Sequence, residues 1–302
     1  MTTTSPLKVA VMGAGAVGNY FGGMLARAGH DVTLVARPQH VEAIERDGLR
    51  MDTKTFDEYV RVKASSAPSA VQGAQLVLFC VKSGDTESAG EEIKPYVGKD
   101  TVVLCLQNGV DNDVRLRGVL TQSEVIGCVV YVGAEMAGAG HLKHHGHGEL
   151  VIDKVRNIPG LDQVLIDAGI STQVSDNVRG MLWLKLILNC AYNAISAIAR
   201  KPYGETTYSV GIKDVMRDLV DECLAVAKAE GVAVPGDVDA AVRSIVEKLP
   251  QQYASTAQDI MRGKPTEIDY LNGHIVRRGK ALGVKTPANQ ALWALVKLIE
   301  AK

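Results

Sequence analysis

The chain has almost no net charge. Its 33 Lys and Arg stand against 34 Asp and Glu, which leaves -1 at pH 7 over 302 residues. Such a balance gives no electrostatic ground for a nucleic acid or an anionic membrane as partner. No Cys-x-x-Cys spacing occurs among Cys80, Cys105, Cys128, Cys190 and Cys223. Odd in number and mostly set in apolar runs, they read as reduced core thiols, as expected in the cytoplasm. An uninterrupted apolar run of about 18 residues, the length of a membrane span, is also missing. Met1-Thr-Thr-Thr-Ser-Pro6 leads into a strand without the basic region, apolar stretch or cleavage site of a secretory leader. The expectation is a cytosolic enzyme or binding protein, long enough for two cores.

What is there begins with Leu7-Lys-Val-Ala-Val-Met12, a short strand that runs straight into Gly13-Ala14-Gly15-Ala16-Val17-Gly18. A helical run to about Ala28 and a second strand, Asp31 to Ala36, complete a strand, turn, helix, strand unit. In that setting the glycines allow a tight turn and close approach to a pyrophosphate, and the helix offers free amides and its positive end. Sites for NAD place an acidic residue where the second strand ends; here that place holds Arg37, whose guanidinium suits a 2′-phosphate and so favours NADP, with His40 near enough to assist. Later strands at Gln75 to Val81, Thr101 to Leu106 and Val125 to Val132 alternate with helical stretches, as a doubly wound parallel sheet requires. Their carboxyl ends carry Lys82 and Gln107-Asn108-Gly109, on the predicted cofactor side. Residues 52–63 read as a hairpin or edge excursion. His141, His144, His145 and His147 follow no metal-ligand spacing and are expected in a loop between antiparallel strands, with no metal.

After Ser175 the strand signals stop. The expected division is an N-terminal Rossmann-type domain, 1–176, and an all-helical C-terminal domain, 177–302. The second opens with Met181 to Ala199, free of Pro and Gly and almost wholly apolar. Lys185, Asn189 and Asn193 break it at i, i+4 and i+8, which stacks them on one face. Either the amides bond to loops while the lysine reaches solvent, or the face meets a polar substrate. Helices are also expected over Lys213 to Glu230 and Asp237 to Leu249, with another starting at Thr266.

These motifs carry a resemblance. Gly13 to Gly18 with Arg37, Gln107-Asn108-Gly109, Trp183-Leu-Lys185 with Asn189 and Asn193, Gln258-Asp-Ile260, and Thr266-Glu-Ile-Asp-Tyr-Leu-Asn-Gly273 together resemble the ketopantoate reductase (2-dehydropantoate 2-reductase) family, in order along nearly the whole chain. The resemblance implies reduction of the 2-oxo group of ketopantoate to pantoate with NADPH, on the route to pantothenate. It implies Lys185 as general acid, Glu267 as its essential carboxylate partner, Lys82 and Asn108 on the cofactor, and Asn108, Asn189, Asn193 and Ser255 on the substrate. Tyr203 and Gln252 stand where further substrate-facing asparagines would align, so the reaction type is better fixed than the substrate. Tyr203 is expected to narrow the pocket or supply a hydroxyl. The competing expectations are the same chemistry on another 2-oxo acid, and an NADP(H) sensor without turnover. The apolar C-terminal helix, Ala291 to Ile299, would serve equally within its domain or in a homo-oligomer.

Overall fold

Alternate residues of the first strand point to opposite apolar layers, and this sets the architecture of the N-terminal half. In the computed structural model, which describes residues 5–301, the elements run β1 (Lys8–Met12), α1 (Ala16–Arg27), β2 (Asp31–Val35), α2 (Pro38–Asp47), β3 (Leu49–Asp52), β4 (Asp57–Val60), β5 (Lys63–Ser65), β6 (Leu76–Phe79), α3 (Thr86–Ile93), β7 (Val102–Cys105), α4 (Asn112–Val119), β8 (Glu124–Gly138), β9 (His141–Ile152), α5 (Leu161–Asp167) and β10 (Thr172–Val174). Val9 and Val11 of β1 join Phe21 and Leu25 of α1 in one core. Ala10 and Met12 join Ala89, Ile93 and Leu116 of α3 and α4 in another. The sheet is thus covered on both faces, which is why its central strands are apolar runs rather than alternations.

The strands form one mixed sheet in the order β4-β3-β9-β8-β7-β6-β1-β2-β5, with β10 beside β9. The neighbours β5, β2, β1, β6, β7 and β8 pair in parallel. β8 is shared: Glu124 to Gly127 pair with β7, and the rest runs antiparallel to β9. A hairpin does form here, but it starts earlier than the expected 52–63: β3 pairs with β4 over residues 49–60. The histidine stretch differs from expectation, because His141, His144, His145 and His147 lie within β9 itself. Register shifts between Tyr131 and Val132, Gly133 and Ala134, and Met136 and Gly138 break the alternation by which a strand is read. Among the described residues, no group of three or more His, Cys, Asp or Glu is placed to hold a metal.

The chain divides into two units, one ending at Val178 and one starting at Arg179. The second holds most of α6 (Val178–Ala199) and all of α7 (Tyr203–Thr207), α8 (Ile212–Ala229), α9 (Val238–Lys248), α10 (Ser255–Met261), α11 (Asn272–Leu282) and α12 (Pro287–Glu300). Helix α6 has the length and composition of a membrane span, but 67% of its most apolar window is buried, with Trp183, Leu186, Ile187 and Ala191 among the core residues. A helix does not start at Thr266: residues 268–270 make one 3-10 turn, and α11 waits until Asn272 because Leu271 leaves helical geometry at φ -111°, ψ -106°.

Candidate active site

In the first unit the carboxyl ends of β1, β6 and β7 are stitched side by side. Cys80 N donates to Met12 O at 2.8 Å and Leu106 N to Phe79 O at 2.9 Å. The glycine-rich turn, Lys82 and Asn108 therefore share one edge. Gly13 has φ +89°, and a Cβ there would lie 2.8 Å from Val81 N, so no larger residue lets the turn approach β6. A Cβ on Gly15 would meet nothing within 4 Å. This open face adjoins the first turn of α1, whose leading amides have no partner within the helix and which carries no acidic residue. An open, acid-free helix start is what a pyrophosphate needs, so the chain fits a dinucleotide here. Arg37 is exposed, at the N-cap of α2, two residues beyond Val35, whose carbonyl accepts from Gly13 N and Ala14 N. His40 Nδ1 accepts from Gly140 N at 3.3 Å, and burial followed by the Arg37 charge lowers its pKa.

Two features of this edge escaped the sequence reading. Asn19, fully buried, donates to Ala14 O at 2.6 Å and Gly15 O at 2.8 Å and so braces the turn from within the helix. Asn112, also buried, donates to Asn108 O at 2.6 Å, which Ser83 Oγ also reaches at 2.9 Å. Thr86 Oγ1 joins Asn112 Oδ1 at 3.0 Å and accepts from Gln107 Nε2 at 2.8 Å. The segments bearing Lys82 and Asn108 are thereby tied to one buried polar network. Asn112 opens α4, where an asparagine reads as an ordinary helix-start residue.

The second unit carries the other set. Lys185 is half-buried on α6, and loss of solvation lowers its ammonium to about pKa 8 while the Glu267 carboxylate acts in the opposite direction. Asn189 follows half-buried and Asn193 almost fully buried at 2% exposure. Ser196, a further turn along, accepts from Ala254 N at 3.3 Å and tethers the start of α10 to α6, which brings exposed Ser255 to the same end of the stripe. Tyr203 departs from expectation: its ring packs at 4.9 Å and 60° against Tyr192, it is 8% exposed, and burial pushes its hydroxyl up to about 12. Its ring is part of the core. Gln252 is exposed, with its carbonyl accepting from Tyr203 N.

The family profile described as Ketopantoate reductase PanE/ApbA matches residues 9–157, and that of its C-terminal part matches 177–300. The chain belongs to the ketopantoate reductase family. Of this family, the PanE/ApbA family ketopantoate reductase from Ralstonia eutropha JMP134 is 60% identical, with 97% of this chain and 98% of that one covered and a TM-score of 0.95. The 2-dehydropantoate 2-reductase of Pyrococcus horikoshii is 33% identical over 97% of this chain and 98% of its own length. A ternary structure of D-mandelate dehydrogenase with NADH and anilino(oxo)acetate is 28% identical over 97% of this chain and 98% of that one, with a TM-score of 0.89. Membership makes the chain an oxidoreductase of a pyridine-nucleotide-dependent family, whose relatives act on small 2-oxo acids.

Proposed function

We propose that the chain reduces ketopantoate to pantoate with NADPH, in the cytoplasm, as a step of pantothenate biosynthesis. The observation that carries this reading is the polar stripe of α6, where an ammonium lowered to about pKa 8 stands in line with the amides of Asn189 and Asn193 on an otherwise apolar helix. The first unit takes the dinucleotide and the second the 2-oxo acid. When bound, the reduced nicotinamide supplies hydride to the carbonyl carbon. Lys185 stabilises the oxyanion that develops and gives it the proton, and a pKa near working pH suits an acid that must also be recharged. Glu267 keeps the lysine in its charged form. Asn189, Asn193 and Ser255 offer uncharged donors and acceptors to the substrate's hydroxyl and carboxylate. In the first unit, Ala14, Ala16, Val17 and Gly18 present backbone to the pyrophosphate, and Lys82 and Asn108 serve the nicotinamide end.

A relative of this fold holds NADH, so the choice of NADPH rests on Arg37. Arg37→Asp should weaken NADPH binding far more than NADH binding. Equal losses would remove Arg37 from the 2′-phosphate. A second reading, the same chemistry on another 2-oxo acid, is favoured by the likeness to D-mandelate dehydrogenase and by Tyr203 and Gln252 at two expected asparagine positions. Oxidation of NADPH at 340 nm with ketopantoate beside phenylglyoxylate and aliphatic 2-oxo acids separates the two. A kcat/KM of about 10⁴ M⁻¹s⁻¹ or more for ketopantoate, well above the rest, supports the first reading. A preference for another acid keeps the chemistry and removes the pathway.

A further inference from the structure

Glu267 sits in a segment with little regular support of its own. Residues 261–265 before it are exposed, only one 3-10 turn follows, and α11 begins five residues later. What holds the segment is α12, and through polar groups. Trp293, Lys297 and Glu300 are spaced i, i+4 and i+7, so they form one stripe along that helix. All three reach the same short stretch. Glu300 Oε1 accepts from Thr266 N at 2.7 Å. Trp293 Nε1 donates to Asp269 Oδ1 at 2.7 Å and Lys297 Nζ to Asp269 Oδ2 at 2.8 Å. Lys297 also bridges to Glu300 at 2.9 Å, which closes the set. The Asp269 carbonyl accepts from Arg277 Nη2 at 2.7 Å, and Ile268 is buried to the last atom. Thr266 and Asp269 are thus gripped on either side of Glu267. Gly273 lets α12 come this close, since a Cβ there would stand 2.9 Å from Trp293 Nε1.

We propose that Asp269, Trp293, Lys297 and Glu300 are positioning residues that hold the Glu267 carboxylate at Lys185. This rests on the Lys185 and Glu267 roles given above and adds how the pair is kept in register. Apolar packing alone would dock α12 on α11. Three polar side chains converging on four residues is instead the arrangement that fixes a carboxylate where small displacements matter. Burial by itself raises the Asp269 carboxyl, but the bonds from Lys297 and Trp293 bring it below its ordinary value, so it stays an anion that both donors can hold.

The test reads Lys185 directly and needs no substrate. In protein carrying ¹³C-labelled lysine, the ¹³Cε signal of Lys185, assigned as the one lost in Lys185→Arg, is titrated. Glu267→Gln removes the opposing carboxylate and should lower the midpoint by about one pH unit. Asp269→Asn should lower it in the same direction, by about half as much or more, and add nothing further in the Glu267→Gln background. Because Asp269→Asn also removes a charge, Trp293→Phe, which removes a hydrogen bond and no charge, should move the midpoint the same way. Thermal unfolding is recorded for each variant. If Glu267→Gln shifts the midpoint while Asp269→Asn and Trp293→Phe leave it in place, whatever they do to stability, the clamp is structural and the proposal is overturned. If Glu267→Gln itself leaves the midpoint in place, the Lys185 and Glu267 pairing is what fails.

Discussion

Replacing Asn112 by Ala is a sharp test of the cofactor edge, because the network it joins can be counted. The change removes the bond to Asn108 O at 2.6 Å, the weaker one to Ser83 Oγ at 3.3 Å, and the contacts that Asn112 Oδ1 makes with Thr86 Oγ1 at 3.0 Å and Arg115 Nη1 at 3.2 Å. It strands no partner: Asn108 O keeps Ser83, Thr86 keeps the Ser83 carbonyl, and Arg115 keeps Glu87. The loss is then the net worth of the bonds, about 1 kcal/mol for each good one, or about 2 to 3 kcal/mol together. For a unit of this size that lowers Tm by about 5 to 10 °C. Both tryptophans, Trp183 and Trp293, lie in the other unit, so their fluorescence would miss the change and calorimetry is the assay. The same variant should weaken NADPH binding several-fold, with Asn108 less firmly placed. A calorimetric transition within about one degree of the parent would refute the count, and an unchanged NADPH Kd would refute the link to the cofactor.

Because Lys185 must be protonated to act as the acid, and its pKa is lowered to about 8, kcat/KM should hold steady below that pH and fall above it, to about one tenth by pH 9. In Lys185→Arg the charge no longer titrates in this range, so the alkaline fall should vanish along with most of the rate. Gly13→Ala places a methyl 2.8 Å from Val81 N at a φ of +89°; a loss of about 1 to 2 kcal/mol or more and weaker NADPH binding are expected by calorimetry and titration. Gly273→Ala should push Trp293 off Asp269, lowering kcat while the NADPH Kd, which the proposed function assigns to the other unit, stays put.

Much of this was legible before any coordinates, for identifiable reasons. The glycine turn and the runs at residues 76–79 and 102–105 announce a sheet covered on both faces, because such strands have no polar side to show. Lys185, Asn189 and Asn193 stood out because a polar group on an otherwise apolar helix must answer to something. Other features gave no local signal. The histidines of β9 are hidden by three register shifts, which depend on the partner strand and not on the residues themselves. Thr266 looks like a helix start, yet its segment is governed by Glu300, 34 residues away. Tyr203 aligns with a pocket position, but its ring has Tyr192 to pack on. Asn112 and Asp269 are invisible for the same reason: their partners are set by the tertiary fold.

The order of strands in the sheet sets when each can pair as the chain is made. Strand β3 lies between β4 and β9, so Arg50 pairs with His141 across some ninety residues of intervening chain. On a ribosome, the β3-β4 hairpin would emerge early and remain without its inner neighbour until β9 had cleared the exit tunnel. The first strand, helix, strand unit has no such wait. Pulse-labelled nascent chains cut at about residue 130 should therefore protect β1 and β2 while leaving residues 49–60 open to protease, and chains long enough to expose β9 should close that stretch in a single step.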